Sequence, residues 1–275
     1  MQKSLRKELP SHIVLITLVT LSLFPLYYML STSFKSNGQF DSNFIGISFP
    51  LHWGNYLTAW QAISPYLRNS VIISVSSVVI IVTTSALTGY AIARLRFRGK
   101  SVLYISIIAL LMIPSTLTLI PLFLEIKAFH GLNTYWGLIL AYAAGGQAFT
   151  VFVFRQAFAS LPEELFEAAR IDGCYELKAF GSVALPLTKS ILGTMAIWNL
   201  LGIWNDYMLP LVTLSSNNKY PITVGIIQFQ TEFISQTLYG PMFAGYILAS
   251  VPLLILFLFT MRMFMDGITS GGLKA

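Results

Sequence analysis

The sequence predicts an all-α integral membrane protein with six transmembrane helices, and three observations carry that prediction. Of the 275 residues, 55% are hydrophobic and 10% charged, against about 25% charged in an ordinary soluble domain. Five long runs, 12–34, 69–93, 101–124, 128–154 and 233–261, contain no Asp, Glu, Lys or Arg, as expected where a charge at the bilayer centre costs about 2.5–3.5 kcal/mol. The basic residues then sort by side: thirteen fall on one face of the predicted membrane and four on the other. Runs this continuous, without alternating polarity, fit helices better than barrel strands.

The spans are expected at 12–33, 69–92, 101–124, 135–156, 190–213 and 241–262. The first is too long for a signal peptide and lacks a clear small-residue cleavage site before Lys35. The outer segment 34–65 holds Trp53, Tyr56 and Trp60, rings that suit the headgroup level. Pro114 and Pro121 should bend the third span, and Pro241 and Pro252 the sixth. The fifth carries one intramembrane carboxylate, Asp206, with Asn205 beside it one turn before Pro210. A second long outer segment runs over 215–240.

With both termini inside, the inner segments hold Lys3, Arg6, Lys7, Arg94, Arg96, Arg98, Lys100, Arg155, Arg170, Lys178, Lys189, Arg262 and Lys274. The outer ones hold only Lys35, Arg68, Lys127 and Lys219. The positive-inside rule thereby accounts for the whole net charge of +6, and no nucleic-acid patch is left over. One cysteine, Cys174, excludes a disulfide scaffold, and the scattered His12, His52 and His130 offer no metal cluster. Gly99-Lys100-Ser101 imitates the end of a phosphate loop, but Arg94 stands where the first glycine belongs. No nucleotide, metal or other cofactor is therefore expected on this chain, and no catalytic residue.

The cytoplasmic loop 157–189 is patterned as structure. Ser160 and Glu163 are spaced as a capping box with Pro162 in the first turn. Leu161, Leu165 and Ala169 form one stripe with Phe166 beside it, while Glu163, Glu164, Glu167 and Arg170 occupy other faces. Asp172-Gly173 should end this helix, and a second short one should span 175–182 before Leu185-Pro186 leads back to the membrane. The acidic first turn would be repelled by anionic lipid, and small Ala168 and Ala169 permit close approach. A protein partner fits this surface better than headgroups do.

The spacing Glu167-Ala168-Ala169, Gly173, then Val183-Ala184-Leu185-Pro186 resembles the EAA loop of permease subunits of bacterial ABC importers. Val183 replaces the usual Ile, Cys174 stands where Ala is common, and Ser190 where Pro is frequent. Nearly the whole chain is similar to the shorter permease of the carbohydrate, maltose-type branch. The similarity runs through Phe24-Pro25-Leu26, Ser33-Phe34-Lys35, Arg68-Asn69-Ser70, Gly89-Tyr90-Ala91, Arg98-Gly99-Lys100, Trp204-Asn205-Asp206-Tyr207 and 267–274.

The resemblance implies the type I importer fold with a cytoplasmic coupling helix, in a bacterial plasma membrane. It also implies a heterodimer with a related longer permease, two cytoplasmic ATPase subunits that hold ATP and Mg, an extracytoplasmic solute-binding protein and a sugar or sugar-like substrate. On that resemblance Glu163, Leu165, Phe166, Glu167, Ala168, Ala169, Asp172, Gly173, Leu185 and Pro186 are the ATPase-coupling residues. The tail 267–275 approaches the ATPases, and 215–240 touches the binding protein.

Trp198, Trp204, Asn205, Asp206 and Tyr207 are candidates for the translocation pathway, since carboxylates, amides and aromatic faces suit hydroxyl-rich ligands. Asp206 and Asn205 could equally satisfy backbone groups loosened by Pro210. The alternative function is an ion-coupled secondary transporter using Asp206 as relay; it has no need of a docking helix with this spacing. An intramembrane enzyme lacks the residues for one.

Overall fold

The computed structural model describes residues 2–272, and no strand occurs among them. In chain order the helices are α1 Gln2–Ser33, α2 Asn37–Ser42, α3 Gly54–Arg94, α4 Lys100–Leu110, α5 Ser115–Ala128, α6 Tyr135–Gly145, α7 Gln147–Ala159, α8 Glu163–Ile171, α9 Glu176–Ala179, α10 Leu185–Leu187, α11 Lys189–Asn205, α12 Met208–Thr213, α13 Ile222–Ser235 and α14 Tyr239–Gly272. The tail assigned to ATPase contact is described only as backbone through Gly272; Leu273, Lys274 and Ala275 lie outside the described residues.

Among the described residues three segments, Pro10–Ser33, Gly54–Arg94 and Tyr239–Leu258, are helices long and apolar enough to cross a membrane unbroken. Two more candidates are bent: α6 and α7 meet at 45°, and Glu176–Leu187 meets α11 at 80°. The expected third span is divided between α4 and α5. Pro114, which lacks an N–H and crowds the carbonyl four residues back, takes the N-cap position of α5 instead of a place inside a helix. Single turns close the break, with the N–H groups of Leu111, Met112 and Ile113 donating to Ile108, Ala109 and Leu110. Pro121, by contrast, sits inside an intact α5.

The fifth span is also broken. α11 ends at Asn205 and α12 starts at Met208, because Pro210 cannot continue the helical ladder back to Asp206. The Asp206 carbonyl so released accepts the Thr223 hydroxyl at 2.7 Å.

The chain forms two compact units, 1–65 with 225–256, and 66–224 with 257–275. In the first, Ala59, Phe229, Phe233, Met242 and Ala244 make the core. The segment 34–65, expected on the outer side, is folded rather than a plain belt. Ser36 and Gln39 complete a capping box on α2, and α3 already begins at Gly54. Lys35 is 1% exposed, and its ammonium donates to the carbonyls of Asn43 at 2.7 Å and Phe44 at 3.1 Å. Tyr56 bonds Ser33 at 2.8 Å, whereas Trp53 and Trp60 stay exposed.

In the second unit one core cluster gathers Tyr90, Phe154, Phe158, Phe166, Phe180 and Met195. A Cβ at Gly89 would stand 2.9 Å from Phe154 Cβ and 3.0 Å from the Arg155 nitrogen. Glycine thus lets α3 and α7 approach backbone to backbone. A second cluster holds Ile73, Ile126, Leu138, Leu209 and Leu214. Around it the stretch between α12 and α13 is stitched down. Asn69 donates to the carbonyls of Asn218 at 2.8 Å and Tyr220 at 3.0 Å and accepts from Tyr135 Oη at 2.8 Å. Lys219 donates to the Asn133 carbonyl at 2.7 Å.

Candidate functional site: a braced loop helix and an apolar cavity

α8 presents Phe166 and Ala169 inward, 1% and 8% exposed. Leu165, on the expected stripe, is 42% exposed, and Leu161 lies before the helix yet packs against the same core cluster. The expected stripe is split: α8 starts at Glu163 behind an N-cap Pro162, so Leu161 joins the core from outside the helix while Leu165 stays on the outward face. The buried face is set instead by Phe166 entering the ring cluster, 6.2 Å from Tyr90.

The expected capping box is absent as well. Ser160 has helical backbone angles and closes α7, whereas an N-cap needs extended ones; its hydroxyl donates to Ala157 O at 2.9 Å. Glu163 turns elsewhere, pairing with Arg94 at 2.6 Å and Arg170 at 3.2 Å. Arg170 also reaches Glu176 at 3.5 Å. The hydrogen bond to Glu163, reinforced by the charge of Glu176, raises the Arg170 pKa above the ordinary arginine value.

The end of α8 matches the expectation in detail. Gly173 has φ +77°, the Gly173 N–H donates to Arg170 O at 3.0 Å and the Cys174 N–H to Ala169 O at 2.9 Å. These paired bonds around a left-handed glycine form a Schellman motif. Beyond it the second helix is shorter than expected as an α-helix: α9 passes into a π-helical turn over Phe180–Ala184 and then α10. Leu185 is half-buried and Pro186 exposed in this turn. Glu164, Leu165, Glu167, Ala168, Ile171 and Asp172 are left facing outward, with Ile171 86% exposed. Leu165 and Ile171 are thus apolar side chains left exposed beside the acids of this loop.

Gly99-Lys100-Ser101 has a structural role. Gly99 is left-handed, and Lys100 donates to the carbonyls of Leu95 at 3.0 Å and Ala93 at 3.3 Å, capping the end of α3 as cations do at helix C-termini.

The second feature is a cavity of about 710 Å³ whose walls include Ile81, Thr116, Tyr142, Trp198, Asn199 and Asp206. Of the five candidate pathway residues, Trp198 and Asp206 line it. Trp204 is buried in packing, Asn205 donates back to Leu201 O at 2.8 Å, and Tyr207 does not line it.

Asp206 accepts from Tyr142 Oη at 2.8 Å and from the Met208 N–H at 3.0 Å. Asn199 donates to Thr150 Oγ1 at 3.0 Å and Met195 O at 2.8 Å. Sequence reasoning missed Tyr142 and Asn199. Tyr142 lies inside an uninterrupted apolar run with no local signal, whereas an amide inside the fifth span was a readable one. Apolar walls with a few fixed polar groups suit binding of a small solute. Among the described residues no group of His, Cys, Asp and Glu could hold a metal.

A family model described as "Binding-protein-dependent transport system inner membrane component" matches residues 85–269. The chain is 34% identical over 265 residues to the diacetylchitobiose uptake system permease protein NgcG of Streptomyces coelicolor, covering 95% of this chain and 87% of that one. It is 35% identical over 260 residues to the arabinooligosaccharides transport system permease protein AraQ of Halalkalibacterium halodurans, covering 92% of each.

Among solved structures, a chain of a bacterial ABC transporter involved in the import of the acidic polysaccharide alginate shares the fold. Its TM-score is 0.81 at 20% identity, over 95% of this chain and 98% of that one. A structure of a bacterial alginate ABC transporter in complex with an alginate pentasaccharide-bound periplasmic protein gives 0.63 at 15% identity, over 96% of each chain.

Proposed function

The chain belongs to the family of inner membrane components of binding-protein-dependent transport systems, and from that premise we propose that it moves a sugar through a bacterial plasma membrane by alternating access driven by partner ATPases. It is a transport subunit of an ABC importer, a permease rather than an enzyme. The relatives named for uptake of diacetylchitobiose and arabinooligosaccharides support a di- or oligosaccharide, or a solute of similar chemistry. The partners in this reading are a related longer permease, two cytoplasmic ATPase subunits carrying ATP and Mg, and an extracytoplasmic solute-binding protein. The six-span reading puts both termini in the cytoplasm.

One observation carries the coupling role: α8 is short, closed by a Schellman turn and braced from behind, yet turns Leu165, Ala168 and Ile171 outward. A helix held so firmly with its apolar face free serves a docking cleft. In this reading ATP-driven closure of the cleft moves α8, and the spans follow. The cavity bordered by Trp198 and Asp206 supplies this chain's share of the solute path, where an indole face and hydrogen-bonding groups suit a hydroxylated ring.

Reconstitution of the complete complex in proteoliposomes tests this. Uptake should require ATP inside the vesicle-equivalent of the cytoplasm and loaded binding protein on the other side, and should survive collapse of proton and sodium gradients. Uptake driven by an ion gradient without ATP would replace this reading by the ion-coupled one.

A further inference from the structure

We infer that Arg94 is the positioning residue that transmits movement of α8 to α3, and so to the wall of the cavity; the inference rests on the importer reading above. Arg94 is the last residue of α3, and its side chain is 8% exposed although it is fully charged. Each part of the guanidinium has a different partner. Nε donates to Phe158 O at 2.9 Å, near the C-terminus of α7. Nη2 donates to Leu161 O in the linker before α8. Nη1 meets the Glu163 carboxylate at 2.6 Å in the first turn of α8. The flat face of the cation lies 4.3 Å from the centroid of the Phe166 ring.

This geometry suits a transmission joint and not a surface ion pair. A planar fork that makes directed bonds and stacks on a ring fixes both distance and orientation. The other charge pairs of the loop, Arg170 with Glu163 and with Glu176, are about half-exposed on both sides and therefore weak. Arg94 acts with Tyr90, one turn earlier on α3, whose hydroxyl donates to Glu176 at 3.2 Å and whose ring packs on Phe166 and Phe180.

The same helix carries the grip inward. Ser85 donates to Gln147 Oε1 at 2.8 Å, and Ile81 forms part of the cavity wall. A pull on α8 therefore reaches the cavity along α3 by side-chain contact. The covalent route through the loop to α11 turns through an 80° bend and a π-helical turn on the way.

The test is the number of solute molecules taken up per ATP hydrolysed by the complete complex in proteoliposomes with its binding protein. Arg94→Gln should lower that ratio about tenfold, within the range that coupling between sites spans, while the ATPase subunits co-purify in wild-type proportion. Arg94→Lys keeps the charge beside Glu163 but loses the fork and the ring stacking, and should remain impaired. Glu163→Gln removes the charge from one contact of four and should give a smaller fall.

A residue needed only for folding would reduce the amount of complex and leave the ratio of the surviving complexes unchanged. An unchanged ratio in assembled Arg94→Gln complexes overturns the inference. If that variant does not assemble, unchanged ratios in both Arg94→Lys and Glu163→Gln overturn it. Failure of the wild-type complex to transport with ATP would instead overturn the importer reading, before any variant is compared.

Discussion

Tyr142 donates its phenolic hydrogen to the Asp206 carboxylate across 2.8 Å, joining α6 to the break between α11 and α12. The same carboxylate takes the Met208 N–H, and the carbonyl of Asp206 takes Thr223. The acid is thus bound on two sides as a structural acceptor at a proline-induced break.

Two variants test that role. Tyr142→Phe leaves a half-buried carboxylate short of a donor and should cost about 1.5 kcal/mol of stability in lipid or mild detergent. Asp206→Asn should cost less and leave ATP-driven uptake insensitive to collapsed ion gradients. The double variant should be less destabilised than the sum of the singles. Strict additivity would show that the two groups act independently.

Gly173 provides a cleaner test of backbone geometry, since a Cβ there meets nothing within 4 Å. Any penalty must come from φ +77° itself, about 1–2 kcal/mol for a residue with a side chain and more for a branched one. Gly173→Val should insert normally, loosen the Schellman turn and lower uptake per ATP. Wild-type transport by this variant would remove the turn from the coupling path.

Phe166 and Leu165 are neighbours with opposite duties. Phe166→Ala empties a place in the ring cluster and should cost about 3–5 kcal/mol, seen as lowered thermal stability of the permease. Leu165→Ala should leave that stability within about 0.5 kcal/mol, as exposed substitutions do, and weaken retention of the ATPase subunits on washing. A reversed pattern would mean that α8 faces the other way.

Asn69→Ala removes three hydrogen bonds at once, on the side the charge distribution puts outside. The stretch carrying Lys219 should then open, and trypsin applied to the outside of spheroplasts should cut after Lys219 faster than in wild type. Equal rates would mean that Tyr66, Ser70 and Asn133, which also bind this stretch, suffice without Asn69.

Cys174 is the chain's one thiol and follows the Schellman glycine. A membrane-impermeant maleimide should label it in inverted vesicles and not in intact cells, as the thirteen-to-four charge distribution requires. Removing the ATPase subunits should raise the rate, relative to a control thiol on another inner loop. Labelling from outside would invert the topology.

What the sequence made legible depended on whether the cause was local. Gly173 ends α8 because a left-handed turn is a property of one residue and its neighbours. The interruption near Asp206 was foreshadowed by Pro210, and that at 111–114 by Pro114. The apolar period of α8 says nothing about where the helix starts or which face tertiary packing buries: the helix begins past Pro162, Leu161 packs on the core from outside it, and Phe166 and Ala169 face inward while Leu165 does not. Ser160 and Glu163 have the spacing of a capping box, but Arg94, 69 positions from Glu163 in sequence, supplies a stronger partner. Tyr142 acquires its role only when separate helices meet around one cavity, and no spacing along the chain encodes that meeting; Asn199 was at least visible as an amide inside the fifth span.

The break between α4 and α5 bears on the life of the chain before assembly. Leu110, Leu111, Met112 and Ile113 are all exposed on this chain by itself, at a place where the helical ladder stops. Lipid offers no donors to carbonyls freed at membrane depth, so such a break is tolerated only against protein or water. In the proposed heterodimer the companion permease would supply that cover. Synthesised without it, the chain would present membrane proteases with an uncovered apolar break, and its half-life in the cell would be set by how soon the companion arrives. Subunit stoichiometry could then be kept by destroying the surplus, with no regulation of synthesis required.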